Sequence, residues 1–269
     1  MEASIDPAPG TAMPPDTLWT YLILCFCAFV AGAMNSIAGG GTLLTFPALT
    51  GVLSPAFANA TSTIALLPGS IAGAFGYRQE LAPSRRFVLR MLAPSLIGGF
   101  LGAWFVGRDT ETFEHLVPWL ILTAAVLFVV QVPISKWMKA HRPDREPGTA
   151  VQVGLVIFQF LIAVYGGYFG AGIGILMITT LSFMGVGDIH RVNAVKTFLA
   201  TIINGASVIV FIYDGLIRWE YAGAMAASAI VGGYMGARIA RRLPVSYVRY
   251  AVILIGFGLS AFYFIRQYG

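Results

Sequence analysis

Asn193, Lys196, Thr197, Asn204 and Ser207 recur at helical spacing along one face of an otherwise apolar stretch, and a polar stripe of that kind inside a membrane helix faces a partner or a solute rather than lipid. A second stretch carries Asn59, Ser62, Thr63, Ser70 and Gly73 at the same relative positions. Amides, hydroxyls and one ammonium offer hydrogen bonds and a fixed positive charge. They offer no nucleophile paired with a base and no metal-ligand set. His115, His141 and His190 are scattered, and no Walker-type phosphate loop is present. The chemistry expected is recognition of a small anion, with no cofactor and no metal.

Glycine clusters precede two short apolar segments. NSIAGGGT, from Asn35 through Ser36, Gly39, Gly40 and Gly41 to Thr42, leads into 42–53, and GGYFGAGIG, which contains Gly170, Gly172 and Gly174, leads into 175–187. Glycine lets backbone amides approach a ligand closely, and a helix starting just after the turn aims free N–H groups at that point. The positive end of the helix dipole favours an anion there. Lys196 has the neutral Ser62 as its positional mate. An ammonium buried in the bilayer costs several kcal/mol unless a partner or water offsets it, so a fixed charge for an anionic solute competes here with a lysine that snorkels to the headgroups. All twelve Asp and Glu residues fall in tails, loops or the ends of spans. A cation substrate is therefore disfavoured.

The elements that must hold these groups are transmembrane helices. Hydrophobic residues make up 57% of the 269, charged residues only 11%, and the mean hydropathy is +0.77, outside the range of soluble domains. Apolar runs predict spans near 18–37, 57–77, 87–106, 115–131, 150–167, 193–212, 220–240 and 248–265. The dozen-residue segments 42–53 and 175–187 are too short to span as regular helices and read as broken or re-entrant. Residues 1–16 form a tail rich in proline and alanine, expected to be disordered. Cys25 and Cys27, two apart in an apolar run, read as packing residues.

An internal repeat covers almost everything else. GGFLGA at 98–103 returns as GGYMGA at 232–237, Asn59-Ala60 returns as Asn193-Ala194, and Gly32, Gly40 and Gly51 return as Gly166, Gly174 and Gly185, all at an offset of 134. The expected division is a first repeat over 17–131, a cytoplasmic linker over 132–149 and a second repeat over 150–269. Basic residues crowd 78–90, 132–149 and 238–249, which the positive-inside rule places in the cytoplasm. The more acidic 107–114 and 213–220 read as outside. The net charge of +5 thus reflects topology rather than nucleic-acid binding. Under the offset the loops exchange sides, so the repeats are inverted. Inversion requires an odd number of crossings per half, so the short segments should cross, giving five plus five with both termini outside; if they turn back instead, each half has four full spans and the charge pattern is violated somewhere. The fold class expected is all-α, with eight to ten membrane segments. Transporters built this way hold their solute where the broken segments of the two halves meet, and the two stripes should face each other across the axis.

GAMNSIAGGGTLLTFPAL followed by ANATSTIALLPGSIAG, and YGGYFGAGIGILMITTL followed by RVNAVKTFLATIING, resemble the two signatures of the sulfite exporter TauE/SafE family. The resemblance implies a bacterial inner-membrane carrier of a sulfur-containing anion such as sulfite, sulfoacetate or an aryl sulfonate. Carried over by motif, Gly39, Gly40, Gly41, Asn59, Thr61 and Ser62 form one half of the site. Gly170, Gly172, Gly174, Asn193 and Lys196 form the other, where Ala171 and Ile173 interrupt the glycine triplet. Thr63, Thr197 and Asn204 extend it along the stripes. The functions to separate are an exporter working by alternating access, a passive anion channel, and an intramembrane enzyme whose sole dyad would be Ser62 with Lys196. Partners expected are the anion, membrane lipid and no nucleic acid, with homodimer formation left open.

Overall fold

The computed structural model describes residues 18–37, 40–140, 148–187, 189–239 and 245–268. Among the described residues there is helix and turn and no strand. Leu18–Ile37 forms α1, Thr42–Thr50 α2, Pro55–Gly76 α3, Arg78–Leu81 α4, Arg85–Arg108 α5 and Thr110–Ala140 α6. In the second half Thr149–Tyr168 forms α7, Ile173–Phe183 α8, Ile189–Tyr213 α9, Trp219–Ile239 α10 and Val245–Tyr268 α11. Among the described residues, five stretches are long and apolar enough to cross a membrane outright: 18–35, 78–108, 110–130, 149–168 and 190–213.

Two expectations about loops change. The basic 78–90 segment is ordered as α4, a 3-10 turn over Ala82–Ser84 and the start of α5, because Pro83 suits the first turn of a helix, where its missing N–H goes unneeded. The segment expected to begin a linker at 132 continues α6 to Ala140, so 141–148 is what stands between α6 and α7. Residues 1–17 also lie outside the described residues.

α2 has only 9 residues, about 14 Å at 1.5 Å per residue, less than half of a ~30 Å hydrocarbon core. Between α1 and α2 the chain doubles back, since a Cβ added at Gly41 would strike the carbonyl of Ala31. α8 is similarly short, at 11 residues. Its start folds against the end of α7, where Ile173 touches the space beside Gly166.

Helix packing is reciprocal between the halves. α1 packs on α10 as α7 packs on α5, α3 on α10 as α9 on α5, and α2 on α3 as α8 on α9. Small residues make the close approaches, as is usual where lipid gives helices no hydrophobic drive to associate. A Cβ at Gly232 would collide with the Phe29 carbonyl, and one at Gly98 would collide with Ala163. Both members of the second contact are 134 positions from those of the first. Gly167 likewise meets the Gly99 backbone. Between α5 and α7, Gln159 Nε2 donates to Ser95 Oγ at 3.0 Å, with both side chains fully buried.

α3 and α9 cross antiparallel at the centre. At one end the backbone N–H of Arg218, just beyond α9, donates to Thr61 Oγ1 at 3.0 Å. At the other, Gly73 lies against the Thr197 methyl. The cores differ at the two ends. Phe46, Phe113, Phe128 and Phe169 concentrate in one cluster with α1, α2, α3 and α6, whereas the cluster around α5, α7, α8 and α9 is built of Val, Ile, Leu and Met with Phe87 as its one buried aromatic.

Candidate functional site

Each short helix follows a glycine in the left-handed region. Gly40 has φ +90° and Gly172, the residue before α8, has φ +80°, a conformation a Cβ resists by roughly 1–2 kcal/mol. The two helix starts then diverge. At α2 the amide N–H of Gly41 donates to Asn35 Oδ1 at 2.8 Å, so a side chain of the chain itself occupies one donor that an anion would want. At α8 the residue preceding the helix makes no side-chain cap, and no side chain among the described residues is recorded on the N–H groups of its first turn. Gly39 lies outside the described residues, as does the side chain of Ser36.

The first-half polar residues are largely consumed by structure. Ser62 Oγ and Thr45 Oγ1 share a hydrogen bond at 2.6 Å, both fully buried. Thr45 also donates to the Gly41 carbonyl at 3.3 Å. Thr61 receives the Arg218 amide, and the Arg218 guanidinium lies over the Phe57 ring at 4.6 Å. Thr63 donates back to the Asn59 carbonyl at 2.8 Å, closing onto its own helix. Asn59 Nδ2 donates to the Tyr168 carbonyl at 3.0 Å, tying α3 to the end of α7. Its Oδ1 is buried with no partner. A carboxamide oxygen accepts hydrogen bonds, so that atom suits a water, hydroxyl or ammonium rather than an anionic oxygen.

An aromatic layer covers this end. Phe46 meets Phe169 edge to face at 5.2 Å, and Phe113 meets Tyr168 at 5.2 Å. Thr45, Phe46, Phe169 and Arg218 join this end of the molecule without belonging to either polar stripe. Arg218 had a signal, as the one basic residue of its acidic loop. The aromatic contacts had none, because 19 phenylalanines in a membrane chain do not announce their partners.

The second half is arranged otherwise. Lys196, in the membrane-spanning α9, is only 5% exposed, and no ion pair or hydrogen bond to it is recorded among the described residues. Asp188, eight positions earlier, lies outside them. Thr179 stands 134 positions after Thr45, and its hydroxyl turns back to the Ile175 carbonyl at 3.0 Å. Thr197 accepts Thr201 Oγ1 on its carbonyl at 2.8 Å. Asn193 and Asn204 are half-buried. Gly174 lies inside α8 and Thr42 opens α2.

The structure does not bring Ser62 opposite Lys196. Each is adjacent in sequence to one of the end contacts of the α3–α9 crossing, at Thr61 and at Gly73–Thr197. Those contacts lie twelve residues apart along α3, roughly 18 Å at 1.5 Å per residue. The stripes share a crossing, yet their most polar ends sit at opposite ends of it, because the helices run antiparallel. A serine–lysine dyad cannot form across that distance.

Short glycine-led helices flanking a central antiparallel pair, in a bundle with at least five membrane-length apolar helices, define a polytopic all-α membrane protein of the transporter type. Residues 24–263 match the family model described as "Sulfite exporter TauE/SafE", and the chain belongs to that family. It is 28% identical over 248 residues to a "Probable membrane transporter protein" of Haemophilus influenzae, covering 89% of this chain and 93% of that one. It is 26% identical over 249 residues to "Probable membrane transporter protein YfcA" of Escherichia coli K12, covering 89% and 87%. It is 24% identical over 263 residues to "Probable membrane transporter protein YunE" of Bacillus subtilis, covering 88% and 96%. No solved structure matches the chain.

Proposed function

We propose that this protein is a secondary transporter that exports a small sulfur-containing anion, such as sulfoacetate, another organosulfonate or sulfite, across the bacterial inner membrane. The observation that carries the anion is Lys196: a side chain 5% exposed in a spanning helix, with no recorded counter-charge among the described residues. Leaving an ammonium uncompensated there costs several kcal/mol, and an anionic solute removes that cost. The uncapped start of α8, on a helix packed against α9, adds amide donors of the same sign.

The two halves act as inverted repeats, with both termini outside and the basic 78–90, 132–149 and 238–249 segments in the cytoplasm. Reciprocal helix packing and the antiparallel α3–α9 crossing support this arrangement. Alternating access then consists of one half rocking against the other about the crossing, and the protein needs no cofactor. The sulfur-containing class rests on the family to which the chain belongs, a weaker warrant than a site.

The test is transport in proteoliposomes, with a thermal-shift panel of sulfite, sulfate, sulfoacetate, taurine and carboxylate analogues to find the solute that raises apparent stability. Saturable flux with counterflow is expected, and Lys196→Ala should lose far more of it than Lys136→Ala in the α6 extension. Non-saturating flux without counterflow marks a passive anion channel instead. Equal loss in the two variants removes Lys196 from the site.

A further inference from the structure

α3 and α5 both pack on α9 and leave between them a groove of about 590 Å³. Leu67 and Ile71 of α3, Ile97 and Phe100 of α5, and Ile202 and Gly205 of α9 line it. The polar lining is limited to Thr201, whose hydroxyl is already donated to the Thr197 carbonyl. Nothing here would hold the transported anion. The rim is open, with Ile71 51%, Ile97 55% and Phe100 48% exposed, so the groove opens sideways to the hydrocarbon.

One end of the groove is charged. Beyond the cavity, Leu67 and Ile71 lead at helical spacing along α3 to Phe75, 68% exposed, and Arg78, the first residue of α4, lays its guanidinium over the Phe75 ring at 4.7 Å. Continuing down α5, Leu96 leads to Leu89, 58% exposed, and to the exposed Arg85. From Leu67 to Phe75 is eight residues of α3, about 12 Å at 1.5 Å per residue, and Arg78 stands just beyond, so groove and adjoining apolar surface together approach half of a ~30 Å hydrocarbon core. The surface is apolar along that length, with cationic residues at its end.

We propose that this groove is a binding site for an anionic phospholipid, with one acyl chain between α3 and α5 and its phosphate held by Arg78 and Arg85. Charge selects the lipid over a second copy of the chain. Two copies meeting through this face about a two-fold axis along the membrane normal would bring their arginine clusters together on the same side of the membrane. A phosphate neutralises the same arginines, as basic pockets between transmembrane helices do for acidic headgroups. Because α9 floors the groove and also carries Lys196, a bound chain braces the helix that holds the proposed anion site. The lipid site itself stands or falls independently of transport.

The experiment is lipid retention by the purified full chain in detergent, read by native mass spectrometry with phosphatidylglycerol and phosphatidylcholine of identical acyl chains. Phosphatidylglycerol should be retained in preference, and the double variant Arg78→Gln, Arg85→Gln should reduce that preference by roughly thirty-fold, at about tenfold per 1.4 kcal/mol and a basic residue near the headgroup contributing about 1 kcal/mol. Gly205→Leu should abolish retention of both lipids without unfolding the protein, since a Cβ at Gly205 meets nothing within 4 Å. Gly205→Ala should leave retention intact. Equal retention of the two lipids by the parent protein overturns the proposal. So does undiminished retention by a folded Gly205→Leu, or a Gly205→Leu that turns dimer into monomer with lipid unchanged, which would give the groove to a second copy. If Gly205→Leu fails to fold, the arginine variant decides alone.

Discussion

The short helices α2 and α8 occupy corresponding places in chain order, yet they are supported by different chemistry. Around α2, Asn35 takes the Gly41 amide, Ser62 and Thr45 take each other, and an aromatic layer of Phe46, Phe113 and Phe169 closes the space. Around α8 the lining is aliphatic, the helix start carries no side-chain cap, and Lys196 stands where Ser62 would be. The difference separates two jobs that a symmetric repeat would share. The first half uses most of its polar groups to hold itself together, and the second leaves a buried charge with no partner recorded among the described residues.

The reciprocity beneath that contrast is the first thing to break. Gly232→Leu and Gly98→Leu should each overpack a helix contact made at backbone distance and lose at least ~1–3 kcal/mol, read as loss of monodisperse protein. Gly223→Leu, where a Cβ meets nothing within 4 Å, should be tolerated. A chain that accepts leucine at 232 and rejects it at 98 is not built from equivalent halves.

The contrast itself is sharpened at the 62/196 pair. Lys196→Met should abolish binding of the anion while raising thermal stability, because a thioether of similar shape leaves no buried charge to desolvate. Ser62→Ala should do the reverse, costing about 1 kcal/mol through the lost bond to Thr45, which keeps only its bond to the Gly41 carbonyl, and leaving most of the binding. Opposite signs in the two variants support the division of labour, and like signs end it. More modestly, Thr45→Val should cost about 1 kcal/mol by removing the bond to Ser62. Thr179→Val, which gives up only a bond to its own helix, should cost less in the same melting assay.

The smallest expected effect separates the halves at their fourth connections. Asp109 accepts from the Thr112 backbone N–H at 2.9 Å and from the Thr112 hydroxyl at 2.6 Å, and these bonds hold its carboxyl below the usual aspartate range. A depressed folded pKa means stability that is present above the unfolded value and is lost as the pH falls through the folded one. A slight acid-side decline in melting temperature should therefore vanish in Asp109→Asn. The corresponding position in the second half, Leu243, has no carboxyl to titrate.

The helical class and the paired order of short and long segments were legible because they rest on local quantities: apolar run length, glycine clusters and the sign of short loops. Boundaries were less so. The basic residues of 78–90 read as a loop, while α5 starts already at Arg85, and α6 runs through to Ala140, beyond the expected end at 131. For the site, Lys196 stood out because a lone charge in an apolar run is expensive wherever it ends up. Asn59, Thr61 and Ser62 were read as ligand groups when their hydrogen-bonding capacity goes mostly to α2, α7 and the 213–219 connection.

What the sequence by itself determined is therefore the solvent, the helices and the offset between halves, since hydropathy and glycine spacing act within a segment or between copies of it. Only the tertiary structure decided that α3 and α9 pack directly on one another, with Ser62 and Lys196 near opposite ends of their crossing. It also decided which hydroxyls and amides find partners. Both outcomes depend on contacts between residues far apart in the chain, and a hydrogen-bond donor looks the same in sequence whether its acceptor is a neighbouring helix or a bound anion.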